Sequence, residues 1–484
     1  MMELRLRIKK THDHFRRQQG SALILVIIIL LAMTITISLI QQGNWLNTKA
    51  IIQGNQRIQA FYLAEAAVYK TLWYLAGHEG KNANWRPVNE EIRLMDDQTA
   101  LVTITDWGGF LRIQAVADWH GQHKKVCVIA GQVMPRIFQS AIILGGEAYP
   151  LVVNGNNRIT GDVHVGERGV EPGIIATRGF TGDKLVDGEI YRHKESVLPE
   201  LNSRQLDQAF QALASSDGLS GHMERYQGDL MIDSVFIAGL QSPGLFVCGN
   251  VSIRHQSKTP LLPDGFTLRA TGSINAGGQG NLGHGLILKA TQVVFKDRIQ
   301  AEDCQIYADS SIIFKDACHL SAQAFCAHVI RLQDEAVLRY PSVLYSPGSV
   351  EGNQLKGSIE LADRAVVQGS IFFRVMDKKK RNMINDVRIE IGGSAQVTGI
   401  IYSDSDTQMK GTVYGCVAVR KFYLFVPPTT CYNWMRDATI DRTRLPESFL
   451  LPLAFEPVNG FEIVKWEKID TPEFDEQQRI AFGE

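Results

Sequence analysis

The segment Ile359-Glu-Leu-Ala-Asp-Arg-Ala-Val-Val-Gln-Gly-Ser-Ile-Phe372 returns thirty positions later as Ile389-Glu-Ile-Gly-Gly-Ser-Ala-Gln-Val-Thr-Gly-Ile-Ile-Tyr402. A shorter pair lies upstream, where Val293-Val-Phe-Lys-Asp297 returns as Ile312-Ile-Phe-Lys-Asp316. Short β-branched runs between small or polar turns, at about one coil per twenty residues, are typical of a parallel β-helix. A single coil cannot bury its own apolar side, so neighbouring coils must stack. The repeats therefore predict a right-handed parallel β-helix, with an antiparallel sandwich as the alternative.

The predicted β-helix covers residues 138–421. A segment of helical composition near 199–216 interrupts it as an insertion. Residues 422–484 lose the repeat and gain prolines, and we expect them to cap the end of the β-helix, because an open end would expose unpaired backbone. The coil phrases resemble those of bactofilin-like and related polymer-forming β-helix domains. This resemblance implies a scaffold that associates with itself.

A basic leader at residues 1–20 precedes an apolar segment that has no charged residue for more than twenty positions. This length matches a bilayer core of about 30 Å, and the basic flank predicts that the leader stays on the cytoplasmic side. A cleaved secretory signal is the first alternative, but no convincing A-x-A site follows. A simple type II anchor is the second. The predicted anchor contains Ala22, Leu23, Ile24, Leu25, Val26, Ile27, Ile28, Ile29, Leu30 and Leu31.

The leader, the Gly20-Ser21 junction and the run Ala60-Phe-Tyr-Leu-Ala-Glu-Ala-Ala67 together resemble type IV pilin-like proteins of the PilX N-terminal type. The resemblance implies that a prepilin peptidase cuts between Gly20 and Ser21. Major pilins carry a glutamate five residues into the mature chain, and this sequence has Leu25 there. Such a glutamate neutralises the amino terminus of a neighbouring subunit inside an apolar fibre core. Leu25 therefore favours a minor, tip-located component, or a protein that stays in the membrane.

Residues 21–77 are predicted to form one long helix, which becomes amphipathic after the membrane segment. Its apolar stripe recurs at spacings of three and four and contains Phe61, Ala64, Val68, Leu72 and Leu75. Between residues 78 and 137 the apolar period changes to two, and turn residues separate four short runs, which predicts an antiparallel meander. A long helix packed on a small antiparallel sheet is the pilin-like architecture that the resemblance implies. The fold class is thus mainly β.

The composition excludes some kinds of partner. The 484 residues carry a net charge of −1 with 21% charged residues, which leaves no basic footprint for nucleic acid. Seven cysteines in an exported chain allow disulfides, and the odd number leaves at least one unpaired. Cys416 and Cys431 form the candidate pair, since they are close in sequence and flank Pro427-Pro428. The alternative is that the cysteines serve as small apolar packing residues.

One tripeptide raises the question of catalysis. Gly283-His284-Gly285 resembles a piece of the polygalacturonases, which are parallel β-helices, and it would imply hydrolysis of a glycosidic bond between two carboxylates. The accompanying Asn-Thr-Asp, Asp-Asp and Arg-Ile-Lys phrases of that family are missing around His284. Motifs for zinc, calcium, nucleotide or a serine nucleophile do not occur either. We therefore predict no enzyme activity, no catalytic residues, no cofactor and no metal site.

The leading interpretation is a non-catalytic pilin-like protein, anchored in the inner membrane of a bacterial cell by one helix, with the β-helix outside the cytoplasm. Its expected partners are the membrane, prepilin peptidase, subunits of a type IV pilus or type II secretion-like apparatus, and a surface or glycan ligand for adhesion. Two alternatives stay open. One is a self-associating, membrane-anchored β-helix scaffold, and the other is a carbohydrate-active β-helix with two or more acidic residues in a cleft near His284.

Overall fold

The computed structural model describes residues 2–78, 89–94, 98–145, 149–202, 204–215, 223–351, 354–377, 387–455 and 460–467; for residues 2–22, 77, 78 and 351 it describes the backbone alone. In these ranges the fold is mainly β, as predicted. The helices are α1 (Met2–His78), α2 (Arg204–Ala214) and α3 (Ser234–Gly239). Two short 3-10 turns occupy Arg136–Gln139 and Arg442–Arg444.

A small antiparallel sheet follows the long helix. Its first four strands are β1 (Asn89–Arg93), β2 (Thr99–Trp107), β3 (Phe110–Trp119) and β4 (Gln122–Gln132). The strand Phe461–Glu467, from the far end of the chain, pairs antiparallel with β4 and becomes the fifth strand. Small residues on α1, among them Ala64 and Ala67, are fully buried against this sheet. The predicted long helix and small antiparallel sheet are confirmed.

The remaining strands form mainly one large sheet. The earlier ones are β5 (Ile142–Leu144), β6 (Leu151–Asn154), β7 (Arg158–Thr160), β8 (Val163–Gly166), β9 (Val170–Pro172), β10 (Ile190–His193), β11 (Met223–Gln227), β12 (Leu230–Ile232), β13 (Gly244–Cys248), β14 (Val251–His255), β15 (Thr267–Ala270), β16 (Ser273–Gly278), β17 (Asn281–His284), β18 (Ile287–Phe295), β19 (Gln300–Phe314), β20 (His319–Cys326), β21 (Val329–Leu332) and β22 (Val337–Glu351). The later ones are β23 (Gln354–Lys356), β24 (Ser358–Leu361), β25 (Val366–Val375), β26 (Val387–Ile391), β27 (Gln396–Met409), β28 (Thr412–Val426), β29 (Thr429–Tyr432), β30 (Trp434–Arg436) and β31 (Thr439–Asp441). The strand Phe461–Glu467 of the small sheet is β32.

Apart from β6, β9, β30 and β32, these strands form one sheet that closes on itself, called here the closed sheet. Its strands pair in parallel, except in the hairpins β22–β23 and β28–β29. The sequence repeats are neighbours in this sheet: Ile359 lies opposite Ile389, and Phe295 lies opposite Phe314. Parallel stacking of the repeated segments is therefore confirmed, and the antiparallel sandwich is wrong for this region. The finer description as a right-handed β-helix stays a prediction.

The first strands of the closed sheet stack on its last long strand. Ile142 of β5 pairs with Val417 of β28, and Val163 of β8 pairs in turn with Ile142. The strand β10 follows on β8, so residues 142–193 continue the sheet beyond β28. Residues 461–467, within the segment predicted to cap the β-helix, lie in the small sheet instead. The predicted domain boundaries at 138–421 and 422–484 stay predictions.

A second apolar core joins the closed sheet to the elements outside it. Along each strand of the closed sheet, alternate side chains point into the core inside the sheet or away from it. The side chains that point away lie opposite one another on neighbouring strands and form a row, called here the outward column. It consists of Arg225, Phe246, Arg269, Lys289, Tyr307, Phe325, Tyr345, Phe372, Tyr402, Ala418, Ile143, His164 and Tyr191. Leu206 of α2, Phe455 and Trp107 of the small sheet pack on its central aromatic residues. The helix α2 falls within the predicted insertion at 199–216.

Candidate functional site

The apolar half of α1, residues 23–40, exposes its large side chains to solvent. The predicted anchor residues from Leu23 to Leu31 each leave between 50% and 63% of their surface uncovered. Among the described residues, α1 is the one helix that is long and apolar enough to cross a membrane, with a mean hydropathy of 3.1 in its most apolar window. An uninterrupted apolar surface of this kind needs lipid or protein around it. The helix is therefore compatible with a single-pass membrane anchor.

An aromatic residue marks the end of the apolar half. Trp45 is exposed, and Nζ of Lys49 lies 5.1 Å from the centre of its indole ring. Trp45 follows Leu23 by twenty-two residues, which is about 33 Å along a helix and close to the thickness of a bilayer core. Tryptophan and lysine are typical residues of the membrane–water interface. The second half of α1 then reaches the small sheet, where Val68 and Leu72 are buried.

The predicted processing residues lie in the same helix. Gly20, Ser21 and Ala22 fall within the bounds of α1, but their side chains lie outside the described part of the structure. Leu25, the position at which the sequence differs from major pilins, is 60% exposed. Cleavage after Gly20 stays a prediction.

The candidate disulfide is not formed. Cys416 and Cys431 are both free, as are the other five cysteines. Cys431 pairs across a hairpin with Leu424, eight positions further along β28 than Cys416, which separates the two sulfur atoms. Burial raises the pKa of the Cys416 thiol and keeps it protonated. Cys416 packs in the second core, as the alternative interpretation of small apolar cysteines expects.

His284 lies in a polar cluster between the closed sheet and the small sheet. Its Nε2 atom is 2.7 Å from Oδ2 of Asp303, and Lys465 of β32 donates to the same carboxylate oxygen. Asp303 is 1% exposed, has a left-handed backbone with φ of 54°, and accepts a further hydrogen bond from Ser321. The registers of β17 and β19 shift at these positions, so a bulge turns the Asp303 side chain toward β32.

A second part of the cluster lies on the small sheet. Arg112 of β3 contacts Oε2 of Glu467 through Nε at 2.9 Å and through Nη2 at 2.8 Å. The Cys127 thiol donates to the same oxygen at 3.1 Å. Burial is the largest cause that raises the pKa of Cys127, to about 12, so this thiol is neutral.

The charges of the cluster balance within the chain. Burial alone would raise the pKa of Asp303, but hydrogen bonds from His284 and Lys465, together with their charges, lower it below 3.8. The hydrogen bond to Asp303 raises the pKa of His284 above 6.5. Ligand atoms of His284, Asp303 and Glu467 lie within 4.8 Å of one another, a spacing that could hold a metal ion. Lys465 and Arg112 already neutralise the two carboxylates, so these residues do not require a cation.

The cluster meets one expectation of the carbohydrate-active alternative, but its buried carboxylate is unsuited to acid catalysis. A cleft of about 190 Å³ next to it is lined by Glu302, Ser321, Arg339 and Lys465, among others. Acidic residues therefore do lie near His284. A glycosidase also needs a protonated carboxyl as general acid, and its pKa must be raised. The lowered pKa of Asp303 makes this residue unsuited to that role.

Sequence reasoning found His284 but not its partners. Asp303 follows His284 by nineteen positions, which is about one coil. The repeat length alone could therefore have predicted that the two side chains lie close together on neighbouring strands. Lys465 and Glu467 come from the end of the chain and have no sequence signal that connects them with the closed sheet.

Comparisons with known proteins identify no family for this chain. No protein-family model matches the chain, and no curated protein matches it. Among solved structures, the competence-associated pilin ComZ from Thermus thermophilus is similar at 11% sequence identity, with 85% of this chain and 97% of that chain covered and a TM-score of 0.19. A likeness at this TM-score carries no argument about fold or function.

Proposed function

We propose that this chain is a non-catalytic, membrane-anchored structural protein of the pilin-like class. The observation that carries the proposal is the course of α1, which is apolar and exposed at Leu23–Leu31 and is then buried against an antiparallel sheet at Ala64, Val68 and Leu72. One helix thus connects a membrane anchor directly to a folded domain. This arrangement agrees with the resemblance of the segment around Gly20-Ser21 to type IV pilin-like proteins.

The proposed setting is a minor position in a type IV pilus or type II secretion-like apparatus of a bacterial cell. The basic leader indicates that residues 1–20 lie in the cytoplasm and that the β-sheets lie outside it. The helix spans the inner membrane once, and prepilin peptidase removes the leader. Leu25 supports a minor component, because an uncharged residue there cannot neutralise the amino terminus of a subunit packed against it. The closed sheet, as a right-handed β-helix, is then displayed for contact with a surface, a glycan or another subunit.

The mature N-terminus tests this proposal. Mass spectrometry of the full-length protein from the membrane fraction should find a chain that begins at Ser21. Gly20→Asp should leave the leader intact, whereas Gly54→Ala, at a helix position with open space around it, should be processed like the natural chain. An intact leader in the natural chain would overturn the pilin-like proposal. The self-associating, membrane-anchored scaffold would then be the better interpretation.

A further inference from the structure

Two histidines lie together in the part of the closed sheet that residues 142–193 form. Nδ1 of His164 on β8 is 2.9 Å from Nε2 of His193 on β10, and the two rings lie within 20° of parallel. In the parallel register Tyr191 lies opposite His164, and His193 lies opposite Gly166. Gly166 has no side chain that could separate the His193 ring from His164.

The surroundings leave both rings available to a ligand. Tyr191 stacks on His164 with ring centres 4.9 Å apart and fixes the orientation of that imidazole. Burial, followed by the nearby His193, lowers the pKa of His164. Within the described ranges no lysine or arginine donates a hydrogen bond to either ring. The cluster around Asp303 differs, because Lys465 donates a hydrogen bond to that carboxylate.

The distance between the two nitrogens suits a shared metal ion. Imidazole nitrogens bind such ions at about 2.0–2.1 Å, so two of them at a ligand angle of about 90° lie about 2.9 Å apart. A tetrahedral angle would need about 3.3 Å. Right-angled ligand sets are typical of tetragonal Cu²⁺ and Ni²⁺ rather than of tetrahedral Zn²⁺.

We propose that Nδ1 of His164 and Nε2 of His193 bind a divalent transition-metal ion of the Cu²⁺ and Ni²⁺ class, with water as the remaining ligands. For Nδ1 of His164 and Nε2 of His193 both to bind the ion, the proton of the hydrogen bond between them moves to the far nitrogen of the ring that carries it. The bound ion joins β10 to β8. It therefore adds a link between two paired strands of the closed sheet, before the chain continues to α2.

The test uses the full-length chain without a polyhistidine tag, in detergent, and Cu²⁺ as the probe. Calorimetric titration should give one ion per chain, and electron paramagnetic resonance should show coupling to two nitrogens. His193→Gln and His164→Gln should each weaken binding at least tenfold. His120→Gln, which removes an exposed histidine from a turn of the small sheet, should bind Cu²⁺ as the natural chain does.

The thermal midpoint provides an independent readout. Cu²⁺ should raise the midpoint of the natural chain and of His120→Gln, and should leave the double variant His164→Gln/His193→Gln unchanged. Equal midpoints of all variants without metal would show that the substitutions leave the fold intact. The proposal is overturned if the natural chain binds no Cu²⁺, or if the double variant binds it as tightly as the natural chain.

Discussion

Lys465 of β32 donates a hydrogen bond from Nζ to Oδ2 of Asp303, a buried carboxylate on β19 of the closed sheet. The two residues are 162 positions apart in sequence, and their contact joins the small sheet to the closed sheet. Since β32 is also the edge strand of the small sheet, one short segment near the end of the described chain connects both parts of the protein.

Lys465→Met should destabilise the contact between the sheets. The substitution keeps most of the apolar stem but leaves Asp303 with His284 and Ser321 as its side-chain partners. Removing one partner of a charged hydrogen bond to a buried group costs about 2–3 kcal/mol in the free energy of unfolding. Denaturant unfolding of the full-length chain in detergent measures this loss. Lys410→Met removes an exposed lysine from the turn between β27 and β28 and should change stability by less than about 0.5 kcal/mol. Equal effects of the two variants would contradict the role assigned to Lys465.

The pair His284–Asp303 predicts a pH dependence of stability. The folded-state pKa of His284 is raised above 6.5, so its contribution is fully present below pH 6.5 and is lost as the pH rises through the folded value. The folded-state pKa of Asp303 is lowered below 3.8, so its contribution is present above pH 3.8 and is lost as the pH falls through the folded value. Both contributions are therefore present between about pH 4 and pH 6.5.

His284→Gln isolates the histidine part of this dependence. The stability difference between the natural chain and the variant should be larger at pH 6 than at pH 8.5, as measured by the midpoint of thermal unfolding. His319→Gln on β20, the strand beside β19, serves as the control, because Nδ1 of His319 contacts the backbone oxygen of Ala317 and not a carboxylate. A constant difference across this range would mean that the protonated form of His284 does not stabilise the fold.

The repeats explain why much of the fold could be predicted. Coils with similar sequences stack on each other, so an offset of thirty residues predicts the pairing of Ile359 with Ile389. The long apolar helix and the small antiparallel sheet could be predicted as well, because each follows from the pattern of apolar residues within a short segment. The outward column could not be recognised, because Tyr345 and Phe372 alternate with inward residues and have the same apolar pattern as core positions. What covers them, such as Phe455, comes from distant segments.

The candidate site was predicted less well for the same reason. His284 was singled out because Gly283-His284-Gly285 resembles a piece of the polygalacturonases. Its contact with Asp303 instead depends on a bulge in β19, which directs the Asp303 side chain toward it. A bulge changes the direction of one side chain without changing the apolar period. The position of β32 beside β4 depends on packing between segments more than three hundred residues apart, for which no local pattern exists.

Asp207→Ala should release α2 from the outward column. The Asp207 carboxylate accepts a hydrogen bond from the buried Tyr345 hydroxyl and pairs with Arg374 at 2.7 Å. The variant leaves a buried hydroxyl and a guanidinium with fewer partners, at a cost of about 2–4 kcal/mol. Hydrogen exchange at the amides of α2 should accelerate more than exchange in β25. Gln211→Ala changes an exposed residue of the same helix and should leave exchange as it is. Slow exchange in Asp207→Ala would show that apolar packing alone holds α2.

Gly399→Ala should disrupt the stacking of the repeats. Gly369, Gly399 and Gly415 lie opposite one another on three neighbouring strands, and each has a positive φ between 150° and 157°. A methyl group on Gly399 would lie 1.8 Å from the carbonyl oxygen of Gly369, a backbone atom that cannot move without breaking the parallel register. We expect a loss of at least about 3 kcal/mol in the free energy of unfolding, measured by denaturant titration. Gly239→Ala meets no atom within 4 Å at the end of α3 and should be nearly neutral. If Gly399→Ala is as stable as Gly239→Ala, the three strands do not approach as closely as this register requires.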